Sequence, residues 1–353
     1  MTILKTDTVS GIGTEGTVFE GSVTFDSLNY MTLPKGTTTE ASFNYAGVPA
    51  ASARGVQGGG YNGTTYVNTL EYITIASTGN ATDFGDLTTI LQAAASMSSE
   101  TRGVFAGGYT TGTSVNTMQY VTIVTSGNSA DFGDISSRRQ VAAGLSNSTR
   151  GLLAGARYST DDNNTNVVEY IQIQTQGNSV KFGELLSGRG AMGGLASETR
   201  GIFAGGSTSG PTVDTNAIEY VTIATTSNST DFGDLTAVTR NCDGASCASS
   251  TRGLIASIGN GNTNVIDYIT IATTGNAADF GDLTEQRDGA TGYSNKIRGV
   301  FVDGRKVASP SYTYYNIIDY VTIATTGDAT DFGDSTIATS SIFGLSNGHG
   351  GLG

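Results

Sequence analysis

The sequence repeats itself, and the repeat limits the fold more than any other feature. Six times an Arg-Gly pair (Arg54, Arg102, Arg150, Arg200, Arg252, Arg298), a tyrosine (Tyr72, Tyr120, Tyr170, Tyr220, Tyr268, Tyr320) and a phenylalanine (Phe84, Phe132, Phe182, Phe232, Phe280, Phe332) return in that order. Tyrosine and phenylalanine are 12 residues apart in every copy, whereas the arginine-to-tyrosine interval runs 18, 18, 20, 20, 16 and 22. Variation in length is therefore confined almost wholly to one segment per unit. Units with a period of 46 to 52 residues cannot bury a core singly and must stack, with their variable segments on one surface.

Each unit reads as four short strands. The first is small and apolar, as in QVAAGLS (Gln140 to Ser146), and the second is Arg-Gly plus apolar residues, as in Gly201 to Ala204. The third is the tyrosine strand, as in EYVTIA (Glu219 to Ala224), and the fourth surrounds Asp231 to Leu235. Turns of the SNST and TTGN type separate them. The tyrosine strand is moderately apolar on both faces, which places it in a sheet covered on both sides. Radially arranged four-stranded blades meet that condition, so the expected fold is all-β, a β-propeller. With 50 glycines and 14% charged residues, the composition suits strands and tight turns, and no apolar run approaches the roughly 18 residues needed to span a bilayer.

The repeat text carries a family resemblance. The order of strand, polar turn, apolar strand ending in Gly-Gly (Gly58-Gly59, Gly107-Gly108, Gly205-Gly206), variable loop, tyrosine strand, then an aromatic followed by Leu and Arg resembles the kelch repeat of β-propellers. Phe stands where that pattern has Trp, and Arg139, Arg189, Arg240 and Arg287 match its arginine. The diglycine is replaced at Gly155-Ala156, Ala256-Ser257 and Asp303-Gly304. More narrowly, TRGVFAGG, EYVTIATTGNATDFGDLT and SNGHGG resemble repeats of virion-associated proteins of tailed phages of marine bacteria. That resemblance implies a non-enzymatic virion component, on capsid or tail, whose partners are other virion proteins, copies of itself, or a host glycan or receptor. The alternatives are a carbohydrate- or receptor-binding adhesin and an intracellular kelch-type scaffold.

Three segments follow: residues 1–40, a glycine-rich arm and a hairpin at Gly21 to Leu33; 41–336, six repeats; and 337–353, a closing strand. The two leftovers sum to about one period, which favours a seventh, composite blade pairing Ser341 to Leu345 with that hairpin. Six blades with an N-terminal arm is the alternative. The start MTILKTDTV lacks the apolar core of a signal peptide.

Enzyme motifs are missing their context. GIGTEG (Gly11 to Gly16) matches a dinucleotide fingerprint but sits in no strand-turn-helix unit. DFGD recurs in nearly every copy, as a catalytic aspartate does not, and reads as a turn flanking a core aromatic. Paired carboxylates such as Asp83 and Asp86 match no calcium-loop spacing. A single histidine, His349, cannot furnish an imidazole metal site, so neither catalysis, metal nor cofactor is expected. A net charge of −13 with five lysines disfavours nucleic acid. Cys242 and Cys247 fall on opposite faces of one expected strand, which argues against a disulfide. The Arg-Gly arginines are expected to pair with the acidic residue before each tyrosine (Glu71, Glu169, Glu219, Asp267, Asp319; Gln119 in one copy).

The longest variable loop is the sixth, Arg305 to Asn316, RKVASPSYTYYN. It combines two cations, Pro310 and a tyrosine cluster, and Arg305, Tyr312, Tyr314 and Tyr315 are the candidate binding residues. Tyrosine offers flat apolar area with a hydroxyl, suited to a sugar or a protein contact.

Overall fold

Six four-stranded antiparallel sheets account for nearly all regular structure in the computed structural model, which describes residues 53–156, 164–208, 213–239, 244–257, 263–308 and 311–352. These all belong to one compact unit, Ala46–Gly353. From the inside outward, blade 2 comprises Ala95–Ser98, Arg102–Ala106, Thr117–Thr122 and Ala130–Asp134. Blade 3 repeats it from Ala143–Ser146 to Val180–Glu184, blade 4 from Gly193–Ala196 to Thr230–Thr239, and blade 5 from Ser246–Ala248 to Ala278–Asp282. Blade 6 is Thr291–Ser294, Arg298–Ala308, Ser311–Thr322 and Thr330–Asp334. Blade 1 takes three strands from the first repeat, Arg54–Gly58, Thr69–Thr74 and Thr82–Asp86, and its innermost from the C-terminus, Phe343–Ser346. The fold is a β-propeller.

That closure corrects the seven-blade expectation. The C-terminal strand does fasten the ring, but its partner is Arg54–Gly58, with Val56 opposite Leu345 and Gly58 opposite Phe343. It occupies the place the first repeat's own leading strand was expected to fill. The hairpin at residues 21–33, like GIGTEG and all else before residue 53, lies outside the described residues. Nor does the seam between blades 6 and 1 leave room for another blade. At five of the six seams the outer strand of one blade accepts two backbone hydrogen bonds from the TTGN-type turn of the next, and between blades 3 and 4 it accepts one, Ser229 N–H to Glu184 O. At the last seam Gly79 N–H donates to Phe332 O and Ala81 N–H to Asp334 O, both at 2.8 Å. The same pair forms between blades 1 and 2, where Gly127 N–H reaches Phe84 O at 2.7 Å.

The recurrent DFGD finds its reason there. Its glycine takes φ near +142° in Gly85 and Gly133, and a Cβ on Gly85 would stand 2.6 Å from the Gly127 carbonyl carbon. Only glycine permits both the conformation and the approach. The turn is capped by the asparagine of TTGN: Asp86 N–H donates to Asn128 Oδ1 and Asp234 N–H to Asn276 Oδ1. The motif is a blade-to-blade clasp. At the axis the innermost strands are equally close, since a Cβ on Gly144 would lie 2.3 Å from Ser96 O and one on Gly194 2.4 Å from Gly144 O.

Between blades the core is aromatic and aliphatic. Every repeat's phenylalanine is buried, and it meets its own tyrosine edge to face, as in Tyr220 and Phe232 at 6.1 Å and 76°. The tyrosines themselves are half-buried. What covers each is the Arg-Gly arginine, whose guanidinium lies 4.3 to 4.6 Å from the ring centroid in all six copies. Each also donates to carbonyls one blade onward, as Arg252 does to Ile323 O and Ala324 O. These arginines therefore do not pair with the acids. In the ladder Arg54 opposes Thr74 and Val56 opposes Tyr72, so Arg54 and Tyr72 share a face and Glu71 points to the other.

The acids serve a second arginine set. Each lies buried where the connector from the preceding blade docks, and it accepts a connector backbone N–H: Ser136 to Glu169, Leu186 to Glu219, Thr236 to Asp267, Thr284 to Asp319. Three connectors add a fully buried arginine. Arg189 Nη2 donates to Glu219 Oε1 at 2.6 Å and its Nη1 to Gly205 O and Ala217 O, both at 2.8 Å; Arg139 meets Glu169, Gly155 O and Val167 O in the same way, while Arg287 Nη2 donates to Asp319 and to Phe301 O. Arg240 and Cys242 lie outside the described residues, while Cys247 is buried and free, its thiol pushed up by burial. Between blades 1 and 2 both partners are neutral, Leu91 at the arginine position and Gln119 at the acid. Replacing Arg189 by Ala should cost about 3 to 5 kcal/mol, because Glu219 is left charged in an apolar seam. The double variant Arg189→Leu/Glu219→Gln, copying the first seam, should return the urea midpoint close to wild type, and a double variant as unstable as the single one would refute this account.

Candidate binding surface

The segment expected as the sixth loop is largely strand. Arg298–Ala308 and Ser311–Thr322 pair out to Ala308 opposite Ser311, so residues 305–308 and 311–316 form a two-stranded arm. On one face, Arg305 sits opposite Tyr314 and Val307 opposite Tyr312. The guanidinium of Arg305 lies 4.9 Å from the Tyr312 ring centroid while its Nε donates to Asp288 Oδ1 at 3.0 Å. Tyr312 and Val307 are the exposed large apolar residues at the tip, Tyr312 being 52% accessible. Strand alternation turns Tyr315 to the opposite face. There burial and the nearby Glu285 carboxylate push its phenol above the ordinary value. The four candidates thus divide, three on the outer face and Tyr315 on the other.

The outer face continues across two neighbouring blades. Tyr314 meets Tyr61 of blade 1 edge to face at 6.0 Å, Tyr61 meets Tyr66 at 5.2 Å, and Tyr66 meets Tyr109 of blade 2 at 6.0 Å. With Tyr312, 6.5 Å from Tyr314, five tyrosines form one unbroken ridge over three blades. The blade 1 turn is held by Asn62 Oδ1, which accepts from Thr64 N–H and Thr65 N–H. Gly63 lets this turn lie against Tyr314, its missing Cβ being 2.8 Å from the ring. In blade 2 the ribbon Tyr109–Thr110 with Thr113–Ser114 carries the end of the ridge. Partial burial raises the Tyr66 phenol, with Tyr109 and Tyr61 adding to the shift. Sequence reasoning missed Tyr61, Tyr66 and Tyr109. The signal was a tyrosine directly after the glycine run in copies one and two, informative only once copy one is known to lie between copy six and copy two. Asp83 and Asp86 lie on an outer strand with both residues exposed.

A second feature lies on the axis. The inner strands enclose a cavity of about 80 Å³ bordered by Ser98, Ser146, Ser246, Ser294, Ser346 and His349 among others. Serine hydroxyls bridge adjacent blades: Ser98 Oγ donates to Ser346 O at 2.7 Å, Ser346 Oγ to Ser294 O at 2.5 Å and Ser294 Oγ to Ala248 O at 2.7 Å. The tail crosses the ends of these strands. His349 Nε2–H donates to Ser98 O at 3.1 Å and Nδ1 accepts from Gly351 N–H at 3.1 Å, while Gly350 and Gly351 pass so close to Ser249 O and Ser146 O that a Cβ would fall 2.1 and 1.9 Å away.

No model of a known protein family matches the chain, and no curated protein is similar to it at a significant level. The site is therefore read from its own geometry.

Burial holds His349 well below its usual range, at about 4, and a proton on Nδ1 would face the Gly351 N–H. Since the folded value lies below the unfolded one, the neutral ring's contribution is present above about pH 6.5 and is lost as pH falls towards 4. His349→Asn should remove this acid-side dependence, so that the difference in melting temperature between wild type and variant changes by the linkage of one proton across that window; a difference constant with pH would contradict the assignment.

Proposed function

We propose that the protein is a non-enzymatic recognition component, a rigid propeller that presents a tyrosine face to a glycan or a protein. The observation that carries this reading is the ridge of five tyrosines contributed by three blades, ending at the exposed Tyr312 with Arg305 against it. Loops on a rigid scaffold are where recognition usually resides. Tyrosine is well suited to it, because its ring gives contact area at low entropic cost and its hydroxyl a directional bond.

The setting that the repeat text supports is a virion, with the propeller as a capsid decoration or a tail or fibre protein. Its face would then meet a neighbouring virion subunit or a host-surface glycan. A free adhesin would use the same ridge in the same way.

Changing Tyr61, Tyr312 and Tyr314 together to serine separates recognition from folding, because none of the three belongs to the inter-blade cores. The variant should keep its strand content and melting within a few degrees of wild type. Binding to a glycan array, adsorption to host cells and incorporation into particles should be measured side by side, and at least one should fall by about tenfold or more, the loss expected when anchor aromatics are truncated. If all three measurements stay at wild-type levels, the ridge is not the working surface.

A further inference from the structure

The seam at which the ring is fastened differs from the others in its charges. The connector from blade 6 to blade 1 carries Thr339 where, among the described residues, three other connectors carry a buried arginine. The acid on the blade 1 side is retained: Glu71, buried, accepts from Thr336 N–H and from the Thr336 hydroxyl. A second carboxylate is added. Asp303, at the diglycine position of blade 6, is 1% exposed and adopts φ +56°, the left-handed region that non-glycine residues seldom occupy. Such a buried, strained, ionisable side chain marks a place where the structure has traded stability for something else.

Asp303 Oδ1 accepts from Ser335 Oγ at 2.6 Å and Oδ2 from Thr339 Oγ1 at 2.7 Å. Ser335 Oγ in turn accepts from Gln57 Nε2 at 2.8 Å, and Gln57 Oε1 accepts from the Tyr293 hydroxyl. Gln57 and Tyr293 stand where the other blades place apolar residues such as Phe105 and Leu145, so a polar chain runs through this core alone among the described seams. In the seam between blades 2 and 3, the Arg139 guanidinium bonds Gly155 O, Val167 O and Glu169. At the closing seam the corresponding residues, Gly59, Thr69 and Glu71, border a cavity of about 10 Å³ together with Asp303 and Thr339. That space holds about one water molecule.

The ionisable groups facing Asp303 are Glu71 from blade 1, Tyr293 from the inner strand of blade 6, and Arg287 from the connector between blades 5 and 6. Burial dominates and raises Asp303 to about 8; the Ser335 and Thr339 hydroxyls, which favour the carboxylate, oppose it, Glu71 adds to the rise, and Arg287, whose Nη2 is committed to Asp319, opposes it weakly. The same seam is the one place where the chain does not run on from the innermost strand into its neighbour. Phe343–Ser346 holds to Arg54–Gly58 by hydrogen bonds and packing only.

We infer that the closing seam is a proton-dependent latch, in which protonated Asp303 beside Glu71 keeps the C-terminal strand seated and its ionisation releases that strand from blade 1. The folded value of Asp303 exceeds the unfolded one, so its contribution is complete below about pH 4 and is lost as pH rises to about 8. Between about 4 and 6.5 the opposite titration of His349 offsets it, which leaves pH 6.5 to 8 as the window in which the latch acts alone.

Amide hydrogen exchange on the intact protein tests this. After correction for the intrinsic rate, the opening constant at Gly344 and Leu345 should rise about tenfold per pH unit from 6.5 to 8 and level off above, the signature of one proton released on opening. The inner strand of blade 3, Ala143–Ser146, should show no such rise. Asp303→Asn, neutral and equally tolerant of positive φ, should abolish the dependence. Should that variant fail to fold, Glu71→Gln removes the neighbouring charge and should move the levelling point to lower pH. A pH-independent opening constant in wild type, a dependence unchanged in both variants, or an equal rise in blade 3 would each overturn the latch.

Discussion

The propeller depends on the docking of each connector onto a buried acceptor in the next blade. A carboxylate, or Gln119 in one copy, lies beneath the connector and satisfies backbone N–H groups that would otherwise be buried without partners. In three of the described seams an arginine completes the arrangement, Arg139 and Arg189 by bonding two further carbonyls each and Arg287 by bonding one. These contacts are short in reach and identical in placement, so they set the angle between neighbouring blades while the Phe and Tyr columns fill the space between them. The charge itself is dispensable: Leu91 and Gln119 serve one seam without any. What every seam retains is an acceptor at the same depth, in keeping with the greater cost of an unmade buried hydrogen bond than the gain from a made one.

Much of this was legible in the repeat. The fourfold strand pattern, the β-propeller class and the burial of the phenylalanines follow from spacing and apolarity alone. The blade number did not, because counting leftovers treats both ends alike, whereas the C-terminal strand completes the first repeat and closes the ring among the described residues. The partner of the Arg-Gly arginines was misread for a similar reason. Adjacent residues such as Glu71 and Tyr72 face opposite sides of a sheet, and only the cross-strand register says which of them meets Arg54.

The binding surface was half visible. Tyr312, Tyr314 and Arg305 stood out through local clustering, but Tyr315, adjacent in sequence, belongs to the other face by strand alternation. Tyr61, Tyr66 and Tyr109 lie 203 to 251 residues before Tyr312 in the chain and reach the ridge only through closure of the ring. A diglycine that seemed lost in three copies proved to be conformationally intact: Ala156, Ser257 and Asp303 take the same left-handed backbone as Gly60, Gly59 and Gly107 elsewhere.

The glycine contacts at the axis have a consequence for how such a chain can change its length. Inner strands that pass with room for no side chain at Gly144 and Gly194 are matched to one circumference. A tandem duplication of one unit would widen the circle and turn these close approaches into gaps, leaving the serine bridges between neighbours unmade. The small residues on the innermost strands thus act as a gauge of copy number, whereas the segment between the second and third strands, longest in the sixth repeat, can change length without touching them.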